Sequence, residues 1–353
     1  MSFVFLGATG DHAGRSLITW VIARRLVEKG VSVGFLKPFG TDPIRVEGIW
    51  TDRDVYLFKE ILNLEDPLEK ICPYLISEQT WEKQTPGEIL GAIQSLGQKL
   101  SKRYDLLLVM GSKHVFFDEA LHPVSDTSLI LALNAKFVLV DRFRDTSKSI
   151  YSILSVSSLL KGKVKGIILN RVPPEKLEEI RIQVIPSLAK KGIPLAVAIS
   201  EDPVLSYRSL EEIMDILGGE VLCGGESLAK SVGAMTVGSA DLKGELRLFK
   251  RAYNKIILLE PSSHDKEAEG PPTQRSIAAI LLTGGRDPAP QILEVAKKAN
   301  IPLILIKNDT FGALERLEQN PPGVSPRDES KIRHFTALMD RDGNLDRLVD
   351  ELR

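Results

Sequence analysis

The sequence predicts an α/β protein: a parallel sheet with helices on both faces, followed by a smaller α/β unit. Three observations carry that expectation. Apolar strand-like runs alternate with amphipathic helical stretches over residues 1–205. The runs are continuous in Val, Ile and Leu, as in strands buried on both faces. A glycine-rich turn, "GATGDHAGRS", follows the first run directly and opens the first helix.

In chain order the predicted strands are "FVFLGA" (3–8), "VSVGFLKPF" (31–39), "DLLLVMG" (105–111), "KFVLVDRF" (136–143), "VKGIILNRV" (164–172) and "PLAVAIS" (194–200). Helices are expected at 16–29, where "SLITWVIARRLVEK" has apolar residues at helical spacing and Gly30 as a stop, and at 54–62, 85–102, 147–160 and 174–191. The second unit, 206–325, reads as a helix at 209–217, a turn "LGGEVLCGG", strands at "NKIILLE" and "IAAILLTGG", a helix at "APQILEVAKKAN" and a strand at "IPLILIKNDT". Between the first two of those strands, 261–276 is polar and Pro/Ser-rich, a loop by composition. Residues 326–353 are expected to form a helical tail.

The bulk numbers narrow the function classes. With 353 residues the chain has room for two cores. Lys+Arg of 46 against Asp+Glu of 47 argues against nucleic acid or an anionic membrane as the main partner. No run approaches a membrane span and the N-terminus lacks a signal-peptide pattern, so a cytoplasmic location is expected. Cys72 and Cys223 form no ligand or redox motif and read as buried, inert thiols. The five histidines, His12, His114, His122, His264 and His334, have no metal spacing.

The first loop carries the chemistry. Phosphate loops surround an anion with backbone N–H groups and a helix N-terminus, and glycine lets the backbone approach closely. Gly7, Gly10 and Gly14 stand between strand and helix, and Ser16 offers a hydroxyl for magnesium. The spacing is loose: Gly7 precedes Gly14 by seven residues instead of five, and Arg15 replaces the usual lysine. Arginine keeps the charge, but its planar fork is not equivalent to an ammonium in a tight loop. Lys37 closes the second strand, at the sheet edge where ligands bind. Asp52 and Asp54 begin a helix and read first as caps; so do Asp126 and Thr127 further on.

Taken together, "GATGDHAGRS", "GVSVGFLKPFG", "TDRDVYLF", "DLLLVMGS" and "GIILNRV" resemble the dethiobiotin synthetase-type P-loop domain, in the version found in the N-terminal half of bacterial phosphotransacetylases. The later stretches "EVLCGGESL", "NKIILLE" and "AAILLTGGRDPAPQILEVAKKANIPLILIKNDTF" resemble the DRTGG domain that follows it in those proteins. The resemblance implies a P-loop NTPase-like fold and a nucleotide site made of Gly7, Thr9, Gly10, Asp11, His12, Ala13, Gly14, Arg15, Ser16, Lys37, Asn170 and Arg171. It implies magnesium at Ser16 and Asp54, with Lys37 on the phosphates and Asn170 on the base. The second metal carboxylate of the family falls on Met110, whose thioether is a poor ligand for a hard cation. Thr283, Gly284 and Gly285 make a second candidate ligand site, or merely a tight turn.

The expected function is a nucleotide- or metabolite-binding regulatory protein, related to the regulatory half of phosphotransacetylase and linked to acetyl-CoA or acyl metabolism. ATP or another nucleotide with magnesium is the expected ligand, a protein of acetyl-CoA metabolism the expected partner, and a homodimer the default assembly. Acetyl transfer is not expected, since about thirty residues follow the DRTGG-like stretch. The alternatives are an ATP- and magnesium-dependent carboxylate-activating enzyme and a structural subunit that binds no ligand.

Overall fold

The computed structural model describes residues 2–76, 84–115, 124–193, 196–228, 231–237, 256–261, 277–320, 322–326, 328–341 and 344–353. The chain divides into two compact units, Met1–Glu201 with Val324–Arg353, and Asp202–Gly323. The stretch 326–353, read as an appendage, thus belongs with the first unit.

In the first unit the chain runs through β1 (Ser2–Ala8), β2 (Val33–Leu36), β3 (Phe39–Gly40), β4 (Pro43–Val46), β5 (Ile49–Asp52), β6 (Tyr74–Leu75), β7 (Leu106–Met110), β8 (Lys136–Arg142), β9 (Val164–Val172) and β10 (Ala196–Ser200). Six of these form one sheet in the order β10-β9-β8-β1-β7-β2, with every pairing parallel. The predicted doubly covered parallel sheet is therefore present, and its period-two pattern shows why. Phe5, Leu107, Val109, Phe137, Leu139, Ile167 and Leu169 share one core cluster with Ile89, Ile93, Leu129, Ile130, Ile153 and Val156 of the helices on that face. The alternate residues Val4, Leu6, Leu108, Val138, Val140 and Ile168 are equally buried.

That second face is covered by α1 (Arg15–Glu28) and by the tail helices Glu329–Met339 and Asn344–Leu352. The approach is close enough that a Cβ at Gly166 would sit 2.5 Å from Leu348. Arg25 of α1 donates to Asp340 (3.1 Å) and Asp346 (2.9 Å), and Lys29 to Asp350 (2.6 Å). Leu345, Leu348, Val349 and Leu352 are the buried stripe of the last helix.

Four departures from the sequence reading have local causes. The strand expected at 31–39 stops at Leu36, because Pro38 has no N–H and the Lys37 N–H turns aside to the Ile71 carbonyl (2.9 Å). Residues 43–52, where no element was predicted, form the hairpin β4–β5 around Glu47 and Gly48, both at positive φ. The helix at 174–191 contains a π turn, Ile180–Val184, just ahead of Pro186, whose ring cannot continue the α ladder. Ser125, not Asp126 or Thr127, caps the helix Asp126–Ala132 by accepting from the Ser128 N–H.

The second unit holds β11 (Arg208–Ser209), β12 (Glu220–Cys223), β13 (Ser231–Val237), β14 (Ile256–Pro261), β15 (Ala279–Leu282) and β16 (Leu303–Leu305), in the order β11-β13-β14-β15-β16-β12. Among the described strands of this second sheet, only β15 and β16 pair in parallel. Helices Leu210–Leu217, Pro290–Lys298 and Thr310–Gln319 lie among the unit's described residues. The last was not anticipated; Asp309, inside a stretch read as strand, caps it by accepting from the Gly312 N–H (2.8 Å). The loop expected at 261–276 lies, beyond Pro261, outside the described residues. Cys72 is buried, and burial pushes its thiol up to about 12; Cys223 is only half-buried, contrary to expectation.

Candidate functional site

The parallel order places the carboxyl ends of β2, β7, β1, β8 and β9 along one edge, with the glycine-rich loop at its centre. Gly14 makes the entry to α1 in a left-handed conformation (φ 86°), and a Cβ there would collide with the Asn170 amide. No side chain caps α1, so the first-turn N–H groups and the positive end of the helix dipole face the loop. Asn170, buried at the end of β9, donates to the Ala13 carbonyl (2.8 Å) and accepts from the Arg171 N–H (3.0 Å). It braces the loop from behind.

Thr9 donates to Asp141 Oδ1 (2.5 Å), and its backbone bridges to His114. Gly7 is the last but one residue of β1, Asp11 and His12 are exposed, and Ala13 is buried. His12 is at φ 55°, a strained setting for a side chain larger than glycine.

On the β2 side the side chains form one linked network. Ser16 Oγ donates to Asp54 Oδ1 (2.6 Å), and Lys37 Nζ donates to Asp54 Oδ2 (2.6 Å) and to Asp52 Oδ1 (2.7 Å). Asp52 also accepts from the N–H groups of Thr41, Asp42 and Asp54, so it is a helix cap and an ion-pair partner at once. Lys37 and Asp52 are almost wholly buried. Burial disfavours the Lys37 ammonium, but Asp52 and Asp54 outweigh it and hold the pKa above the ordinary lysine value. Burial likewise works against the Asp54 carboxylate, and Lys37 and Ser16 overcome it, leaving its pKa lowered.

Arg15 does not point into this network. Its guanidinium donates to the carbonyls of Gly111 (2.5 Å) and Ser112, on the loop after β7. Burial lowers its pKa, opposed by Asp54, Asp126 and Asp52. Asp126 is the residue the sequence reading misplaced. It is buried and accepts from the Ser112 N–H with both oxygens (3.1 and 2.9 Å), fixing the strip that Arg15 grips. Burial pushes its carboxyl up to about 6 against the pull of Ser112 and Arg15. Its sequence signal is indirect: an acid one residue past a serine cap, with an apolar helix following. Met110 is fully buried at the end of β7 and offers no oxygen.

The hydroxyl of Ser16 and the carboxylate of Asp54 are hard donors that suit magnesium when phosphate oxygens and waters supply the remainder. Among the described residues no group of three or more His, Cys, Asp or Glu could hold a metal ion alone. In the second unit the candidate turn is placed at the end of β15. Thr283 Oγ1 lies 3.1 Å from Thr310 Oγ1, while the N–H groups of Gly284 and Gly285 donate to the carbonyls of Asn308 (2.8 Å) and Ile306 (2.9 Å).

Comparison with known proteins decides the family. The AAA domain family matches residues 3–213, well over half the chain. The chain belongs to the AAA domain family. A DRTGG domain matches residues 212–320, so the two-domain resemblance holds. The phosphate acetyltransferase of Synechocystis sp. is 25% identical across 100% of this chain and 52% of that protein. The ATP-dependent dethiobiotin synthetase of Methanocaldococcus jannaschii is 29% identical over 47% of this chain and 78% of its own length. The chain thus spans about half the length of the phosphate acetyltransferases it matches. Among solved structures, the MinD cell division protein of Aquifex aeolicus is 16% identical with a TM-score of 0.33, covering 58% of this chain and 84% of that one. No described helix is long and apolar enough to cross a membrane.

Proposed function

We propose that the first unit binds a nucleotide with magnesium and reports its presence without turning it over, as a regulatory module tied to acetyl-CoA or acyl metabolism. The observation that carries this reading is the engagement of both loop-side cations. Arg15 is held by the carbonyls of Gly111 and Ser112, and Lys37 lies between two carboxylates. Phosphoryl transfer depends on cations aimed at the moving group. Here the loop amides and α1 are arranged to hold phosphates, while the charges that would lower a transfer barrier are engaged by the protein itself. Ser16 and Asp54 would hold the magnesium ion, which would screen the phosphate oxygens. The DRTGG unit would mediate assembly or take a second ligand, and a homodimer with a partner enzyme of acetyl-CoA metabolism is the expected setting.

The test is calorimetric titration of ATP, with and without magnesium, into the parent protein and Arg15→Ala, followed by a phosphate-release assay. Saturable binding without release supports the proposal. Magnesium-dependent release would replace it with a carboxylate-activating enzyme of dethiobiotin synthetase type. No binding at all would leave a structural subunit.

A further inference from the structure

The two flanks of the loop are electrically unlike. On the β2 and β7 side, Arg15 and Lys37 each meet an acid or a carbonyl. On the β8 and β9 side stand three arginines: Arg142 at the end of β8, Arg144 two residues on, and Arg171 just after Asn170. Among the described residues, none of the three guanidinium groups has an ion pair or a hydrogen bond.

Their placement is specific. Arg142 lies opposite Asn170 in the β8–β9 register, so its side chain leaves the sheet on Asn170's side, toward the loop. Arg144 rests over the loop itself: a Cβ at Gly10 would be 3.0 Å from its Nη2. Arg171 is half-buried and sits at φ 59°, a backbone setting that costs energy for a side chain larger than glycine. The charges also feel one another. Burial and then Arg142 lower the pKa of Arg171, with Glu201 opposing; burial and then Arg144 lower that of His114, with Asp11 opposing. The acids nearby, Glu201 by Arg171 and Asp141 by Arg144, act at a distance without an ion pair among the described residues, so an anionic ligand would still be favoured there.

We propose that Arg142, Arg144 and Arg171 form a second anion subsite, which takes a phosphate carried on the ribose of the bound nucleotide. The proposal rests on the reading of the loop as a nucleotide site. Ser16 and Asp54 mark the metal end of a phosphate chain on the β2 side, so the remainder of the ligand leaves over β8 and β9. Adjacent strands are about 4.8 Å apart, which puts the ends of β8 and β9 within roughly 10 Å of the loop, the reach of a nucleoside. An unmodified ribose brings nothing for three arginines to hold. A ribose phosphate offers three oxygens to planar forks that bind such groups in pairs.

The experiment is calorimetry on the full chain with three ligands: ADP, adenosine 3′,5′-bisphosphate and adenosine 2′,5′-bisphosphate. ADP carries as many phosphates as the other two, so the comparison isolates their position. One of the ribose-phosphorylated ligands should bind at least about tenfold more tightly than ADP, and the double variant Arg142→Gln/Arg144→Gln should erase that ratio. The winner fixes the 2′ or 3′ position. Arg144→Lys should restore part of the preference, and Arg144→Gln alone, at an exposed position, repeats the test if the double variant misfolds. Equal binding of all three ligands, or a preference that survives the double variant, overturns the subsite and leaves the nucleotide site standing. Absence of binding by every nucleotide overturns both.

Discussion

The molecule uses the same local grammar twice, a strand, a glycine-rich turn and then a helix, and the two copies differ in where their amides go. After β1, helix α1 is entered through Gly14 with no side-chain cap, so its first N–H groups face the loop. After β15, the N–H groups of Gly284 and Gly285 are consumed by the carbonyls of Asn308 and Ile306. One turn holds donors in reserve; the other has committed two of them to the next strand's exit. Glycine in a turn therefore licenses a backbone path, and only the neighbouring chain determines whether that path cradles an anion.

The contrast can be tested in order of expected effect. Lys37→Met removes the cation between the buried Asp52 and the partly buried Asp54 and should cost about 3–5 kcal/mol in denaturant unfolding. Thr283→Val, its counterpart beside the second turn, should cost about 1 kcal/mol. If both lose the same small amount, the first turn holds no charged network worth the name.

Next comes pH. The Asp126 carboxyl is raised from 3.8 to about 6, so in the unfolded chain it releases its proton first as pH climbs. Its burial therefore lowers stability progressively between about pH 4 and pH 6, by up to roughly 3 kcal/mol, and the loss disappears on acidification. Asp54 acts in the opposite sense: its lowered pKa supplies stability that fades only as pH falls below its ordinary value. The Asp126→Asn variant should melt with a flatter profile between pH 4 and 6 than the parent, which gains on the variant as pH drops. An unchanged profile would show that Asp126 is not buried beside Ser112.

Gly14→Ala and Gly284→Ala both place a side chain at positive φ, which should cost each about 1–2 kcal/mol, and Gly14→Ala more because its Cβ would meet Asn170. Only the first should weaken ATP binding, by tenfold or more, since only it disturbs Asn170 and the loop amides. Equal loss of ATP heat in both variants would end the distinction between the turns. Smallest is Arg25→Ala, ten residues along α1 from Arg15, at about 0.5–1 kcal/mol for a partly exposed pair. It should leave calorimetric binding of ATP as it is.

Much of the fold was legible because a strand buried on both faces must be apolar at every position, and a covering helix on one stripe. Each of the six sheet strands of the first unit announces itself that way. The loop was legible too, and so were Ser16, Asp54 and Lys37, which the structure links through the two oxygens of Asp54. What stayed hidden depends on contacts distant in sequence. Asp126 reads as a cap until β7 delivers the Ser112 N–H to it, and Arg15 reads as a phosphate ligand until the Gly111 and Ser112 carbonyls take its guanidinium. The β4–β5 hairpin was missed because its turn is Glu-Gly, and glutamate seldom accepts a left-handed backbone.

The last helices bear on how this chain is made. The first unit's sheet is complete by Ser200, yet the stripe of Leu345, Leu348, Val349 and Leu352 that seals one face is translated only after the whole of 202–323. At about 5–20 residues per second, that is a delay of roughly ten seconds, during which Gly166 and its neighbours on the nascent polypeptide lack their cover. The sheet must wait, half-clothed at the ribosome, for its closing segment.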